Sequence, residues 1–250
     1  HISGRLHRRA TGKSMLQPPC GPSQRTTQPM VTGGSVIGVK YAGGAMVAAD
    51  TLASYGSLAR YEGVVRMAQV GMANDTILAA GGDHSDYQYM LKMIDQKATA
   101  EFAIDDGATM TPSSLHSWLT RIMYQRRSKM DPLWNSVLIA GFRDGKSYLG
   151  SSDLYGTAFT DDFMASGLGA HLALPLMRKG WREDLTEAEA RTLLEDCMRV
   201  LFYRDTRASA YITIGKVDAS GSSVSEPYIL DTFWEHPSFV SGNTRGDGSW

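Results

Sequence analysis

Cysteine is scarce: Cys20 and Cys197 are the only two among 250 residues. So few thiols fit a reducing compartment, and no CxxC or Cys/His cluster is present to hold a structural zinc ion. His84, His116 and His171 do not fall at metal-ligand spacings and read as surface or contact residues. Neither a metal nor a cofactor is expected. Long apolar runs are missing too, and without about 18 consecutive apolar residues no membrane-spanning helix is predicted. Excess charge of either sign is likewise absent. The formal net charge of −1 argues against non-specific attraction to nucleic acid or to an anionic membrane. Gly81-Gly82 is too sparse for a phosphate-binding loop and reads as a tight strand-to-helix turn. What remains is 42% apolar and 20% charged residues, the composition of a globular chain long enough to bury a substantial core.

The charge is unevenly placed. Residues 1–25 hold Arg5, Arg8, Arg9, Lys13 and Arg25 and no acid, which leaves 20 basic against 26 acidic residues, a net −6, for the remainder. This leader is rich in Gly, Pro, Ser and Gln and shows no apolar period, so it is expected to be unstructured. By composition, an Arg-rich, acid-poor leader resembles an organelle presequence.

The ordered pattern starts near Val31. Residues 35–41 and 45–51 predict two strands joined at Gly43-Gly44. Short strands are expected over 64–70 and 76–80, with Gly81-Gly82 ending the sheet run. Asp83 then caps a helix with Tyr87, Met90, Leu91 and Ile94 on one face. Thr111-Pro112 opens a second helix carrying Leu115, Leu119, Ile122 and Met123. Strands over 136–142 and 147–150 flank a turn at Asp144-Gly145. A short helix over 170–179 precedes the best-marked one, 187–204. There Thr186 and Glu189 form a capping box, Leu185 and Ala190 a staple, and Ala190, Leu193, Leu194, Cys197 and Leu201 the apolar stripe. Strands over 210–215 and 227–230 close the pattern, and residues 231–250 have no period. Strand runs followed by helix runs predict α+β layers: two sheets between two helical layers. In the aperiodic tail, Phe233, Trp234 and Phe239 suggest anchors for a partner surface. Arg126-Arg127-Ser128-Lys129 reads as a solvated helix end or a subunit contact.

Gly34-Ser35-Val36-Ile37-Gly38-Val39-Lys40-Tyr41, followed by Val47-Ala48-Ala49-Asp50-Thr51, resembles the start of the proteasome β subunits. Those open on Thr-Thr-x-x-Gly and carry Ala-Asp-Thr about a dozen residues later. Ser54-Tyr55-Gly56-Ser57-Leu58-Ala59-Arg60, His116-Ser117-Trp118-Leu119-Thr120-Arg121, the run from Arg126 to Asn135 and the run from Cys197 to Asp205 resemble the beta type-4 members (beta type-7 in yeast). The resemblance spans about residues 26–240. It implies the four-layer αββα sandwich of N-terminal nucleophile hydrolases, arranged as a leader or propeptide over 1–25, a β-type domain over 26–230 and a contact tail over 231–250. It further implies α and β subunits as partners in a 28-subunit core of two α and two β heptameric rings, a tail reaching the opposite β ring, and residence in cytoplasm and nucleus. By the same resemblance the leader is removed on assembly and the mature chain begins at Thr26.

Active relatives attack with the hydroxyl of an N-terminal threonine, use its free amine as base, and set a Lys and an Asp nearby. Counting back from Gly38 puts the nucleophile position at Gly34, which has no side chain. The Asp is kept as Asp50. The Lys position holds Arg66, which pairs with Asp50 but does not give up a proton at neutral pH. Leu168 stands where the helper serine would be, in Gly167-Leu168-Gly169-Ala170. Asp205 is kept, and Ala208 takes the place of the serine three residues later, with Ser209 one place off. No catalytic residue is therefore expected. The alternative, an active threonine endopeptidase using Thr26 or Thr27, lacks the glycine four residues on: position 30 is Met.

Overall fold

The computed structural model describes residues 28–235. The leader, Thr26, Thr27 and the tail beyond residue 235, Phe239 included, lie outside the described residues. Seven strands come first: β1 (Val31–Gly33), β2 (Val36–Tyr41), β3 (Gly44–Asp50), β4 (Ala53–Tyr55), β5 (Leu58–Tyr61), β6 (Met67–Gln69) and β7 (Thr76–Asp83). Helices α1 (His84–Ile104) and α2 (Pro112–Ser128) lead into β8 (Asn135–Arg143), β9 (Lys146–Ser152), β10 (Ala158–Thr160) and β11 (Phe163–Ala165). Then come α3 (Gly169–Leu172), α4 (Leu174–Gly180), α5 (Glu187–Arg204), β12 (Tyr211–Asp218), β13 (Gly221–Val224) and β14 (Tyr228–Ile229).

The strands form two antiparallel sheets. One runs β10-β9-β8-β7-β1-β4-β5 with β6 also on β7; the other runs β11-β2-β3-β12-β13 with β14 on β12. Side-chain alternation explains the layers. On β7, Ile77 and Ala79 face Val36, Val47 and Ala49 of the other sheet. Leu78 and Ala80 face Tyr87 and Met90 of α1 and Leu119 and Met123 of α2. A strand covered on both faces reads as a continuous apolar run, as this one does. On the far side Ile37, Val39, Met46 and Ala48 pack against Leu194, Cys197 and Leu201 of α5 and Met177 of α4. The result is the expected four-layer αββα sandwich.

Local chemistry sets the helix ends. Asp83 caps α1 by accepting from Ser85 N (2.9 Å) and Asp86 N (3.2 Å). Thr111 and Ser114 make a capping box with Pro112 in the first turn of α2. Thr186 and Glu189 make another at α5, where the Thr186 amide and hydroxyl, with Arg182, pull the Glu189 carboxyl down to about 2.

Three expectations need correction. Gly81-Gly82 does not end the sheet: β7 continues to Asp83, and Gly82 adopts φ 92°, pairing with Asn135 on one side and Gly33 on the other. The helix expected over 170–179 is two pieces, because Leu174-Pro175 opens a new turn at α4. His116 is no surface residue; it is 5% exposed under α2, with Nδ1 2.6 Å from the Tyr148 hydroxyl and Nε2 2.9 Å from Ser151 O. The start of the tail lies against its own helix, α5. Arg199 Nε donates to Asp231 O (2.8 Å), Phe233 N donates to the Tyr203 hydroxyl (2.7 Å), and the Trp234 ring meets Tyr203 edge-on at 4.8 Å. Trp234 nonetheless remains 61% exposed.

Candidate functional site

The hairpin of β2 and β3 pairs Val36 with Ala49, which brings Gly34 and Ser35 alongside Asp50. Arg66 enters from the segment before β6, and Asp205 comes from the end of α5. Gly34, Leu168 and Asp205 line one hollow, and Asp50 and Arg66 lie buried beside Gly34. The hollow encloses about 580 Å³ and is walled by Gly34, Ser35, Asn135, Ser166, Leu168 and Asp205.

Arg66 is the hub. It is 2% exposed and ion-paired with the equally buried Asp50. Its Nη2 also donates to Gly34 O (2.5 Å), Ser35 O (3.1 Å) and Ala80 O (3.3 Å). One guanidinium thus ties β3, β7 and the β1–β2 junction together, a task for a planar multi-donor group rather than an ammonium. Asp50 Oδ2 accepts from Ser209 N at 3.0 Å. Burial pushes the Asp50 carboxyl above its ordinary range, while Arg66 and the Ser209 amide pull it back part of the way. Asp205 Oδ1 is turned to its own loop and accepts from Arg207 N at 2.9 Å.

Space for a nucleophile exists, but no side chain fills it. A Cβ placed on Gly34 would lie 3.7 Å from Asp205 Oδ2, 3.7 Å from Arg207 O and 4.0 Å from Asp50 Oδ1, ordinary contacts all. The neighbouring hydroxyls are committed to the backbone. Ser35 Oγ accepts from Gly169 N (2.8 Å), Ser166 Oγ from Val36 N (3.1 Å) and Ser209 Oγ from Tyr211 N (3.2 Å). Leu168 is among the residues that line the hollow.

Sequence reasoning placed the start of order near Val31 but missed what that segment does. Strand β1 lies between β4 and β7 and pairs with both: Thr32 with Ser54 and Asp83, Gly33 with Ala53 and Gly82. Met30 N donates to Asp83 Oδ2 at 2.9 Å and fixes the entry. The chain segment just before Gly34 is thus held between two strands of one sheet. The Gly34 nitrogen is meanwhile an amide bonded to Gly33 and not a free amine. Gly33 itself has no room for a Cβ, which would strike Arg66 Nε. Strands β4 and β5 were also missed, although Gly56-Ser57, with Gly56 at φ 61°, is a two-residue hairpin signal between them.

Fold and hollow together define a four-layer α+β protein with a buried Asp50–Arg66 pair beside a side-chain-free Gly34. A sequence model of the family described as Proteasome subunit matches residues 30–217. The chain belongs to the proteasome subunit family. It is 46% identical to the proteasome subunit beta type-4 of Xenopus laevis, over 93% of this chain and 96% of that one. The Arabidopsis thaliana beta type-4 subunit is 42% identical, over 91% and 92%. The beta type-7 subunit of Saccharomyces cerevisiae is 39% identical, over 79% and 77%.

Proposed function

We propose that this chain is a non-catalytic β subunit of the 20S proteasome core, a wall of the proteolytic chamber that supports neighbouring active subunits and cuts no peptide itself. It would act in ATP- and ubiquitin-dependent protein degradation, in cytoplasm and nucleus, as one member of a 28-subunit particle of two α and two β heptameric rings. The observation that carries the reading is the hollow at Gly34. The position that faces both Asp50 and Asp205 has no side chain, and its nitrogen is an amide bonded to Gly33. With neither hydroxyl nor free amine, covalent catalysis by an N-terminal nucleophile has no starting atom.

The tail fits the same reading. Its first residues are fastened to the end of α5, and the tail as a whole, residues 231–250, would contact the opposite β ring. An affinity tag on the chain in its own cells should recover a complete set of α and β subunits at core-particle size. Recovery of the tagged chain solely as a small monomer would contradict assembly. Deleting residues 236–250 should enrich half-particles on a native gel; full particles at normal yield would rule out the tail's role.

A further inference from the structure

The C-terminal end of α1 is at odds with an isolated surface in three independent ways. First, the negative end of a helix favours cations, yet the last turn of this 21-residue helix has no basic residue, and Asp105 sits at its cap with Asp106 beside it. The cations nearby are already used: Lys97 pairs with Glu101 at 2.9 Å, and Arg143 pairs with Asp75 at 2.6 Å. Asp105 and Asp106 form no ion pair among the described residues. Second, Phe102 and Ile104 are each 67% exposed and Met72 is 56% exposed, a concentration of apolar side chains at one corner. Third, the loop after the helix leaves two hollows that share its residues 108–110. One, of about 310 Å³, is lined by Met72, Ala98, Phe102 and Met110; the other, of about 460 Å³, by Ile104 and Trp118.

From these features we infer that this corner is a docking site for a projecting segment of another subunit of the assembly, one that offers a large apolar side chain next to an Arg or Lys. The apolar side chain fills the hollow beside Phe102. The cation answers Asp105, Asp106 and the negative end of the helix. The sign of the charge selects this occupant: an acidic segment would be repelled by both aspartates and by the helix dipole, and a neutral apolar one would leave both unanswered. The inference rests on the assembly reading given above.

The test uses the assembled particle. With p-benzoylphenylalanine in place of Phe102, irradiation should join this chain to a different subunit, at an apolar residue within a few positions of a Lys or Arg. In parallel, the triple variant Phe102→Ser, Asp105→Asn, Asp106→Asn should compete with co-expressed wild type for entry into particles. Asparagine keeps the Ala108 N–H bond to position 106 (2.9 Å in the wild type) and tolerates the left-handed backbone at 105. All three side chains are exposed, so the thermal midpoint of the variant should match the wild type. At least tenfold depletion from particles is expected. Incorporation equal to the wild type, no crosslink, or a crosslink confined to copies or other segments of this chain overturns the inference. If the wild type itself stays out of particles, the assembly reading fails first; if the wild type enters and the variant enters equally, only the docking site fails.

Discussion

Replacing Arg66 by methionine tests the buried hub directly. Methionine matches much of the aliphatic stem but removes every donor. The structure then holds a carboxylate at 2% exposure with only the Ser209 amide left to it, and the carbonyls of Gly34, Ser35 and Ala80 lose their shared partner. Removing one partner of a buried ion pair costs about 3–5 kcal/mol, which for a domain of this size is a fall in melting temperature on the order of 10 °C. The loss should depend on pH with a definite sign. Asp50 is already raised by burial, and without the cation it rises further. A carboxyl raised in the folded state contributes stability below its unfolded value and loses it as pH rises through the folded value, at about 1.4 kcal/mol per unit. The higher folded value in Arg66→Met extends that loss to higher pH. The gap between variant and wild type should therefore be wider at pH 8 than at pH 5, and adding Asp50→Asn to Arg66→Met should recover part of it. Urea melts at both pH values measure this. A loss below about 1 kcal/mol, or an equal gap at pH 5 and pH 8, would refute the reasoning.

One further substitution and one chemical modification are open to measurement. Gly82→Ala forces a Cβ against Trp134 O at φ 92°, so it should cost about 2–3 kcal/mol in the same melts. In the folded chain Cys197 is fully buried and burial pushes its thiol up to about 12; iodoacetamide at pH 8 should leave it unmodified until denaturant is added, as read by peptide mass spectrometry.

Several elements were legible because their chemistry is local. Thr186 and Glu189 fixed the start of α5, and its predicted span, 187–204, is the observed one. Thr111-Pro112 did the same for α2. The candidate site was legible through the resemblance to proteasome β subunits: Gly34, Asp50, Arg66 and Asp205, matched to that family's motif, lie far apart in sequence and meet in space. What escaped notice depends on long-range pairing. Thr32-Gly33 is too short to show a period, and only the edges of β4 and β7, contributed by other parts of the chain, make it a strand. Gly82 reads as a sheet breaker locally, yet neighbours on both sides hold it in the ladder. His116 lies among polar residues in sequence and is buried only because Gly150 of β9 leaves room for its ring.

The account's central claim is that no atom of this chain attacks a peptide bond. The most direct measurement treats the purified core particle with an epoxyketone, which forms an adduct with a threonine hydroxyl and its free amine, and reads the intact mass of each subunit. The account predicts adducts on other β subunits and none on this chain. An adduct here, at Thr26, Thr27 or any other residue, would contradict it.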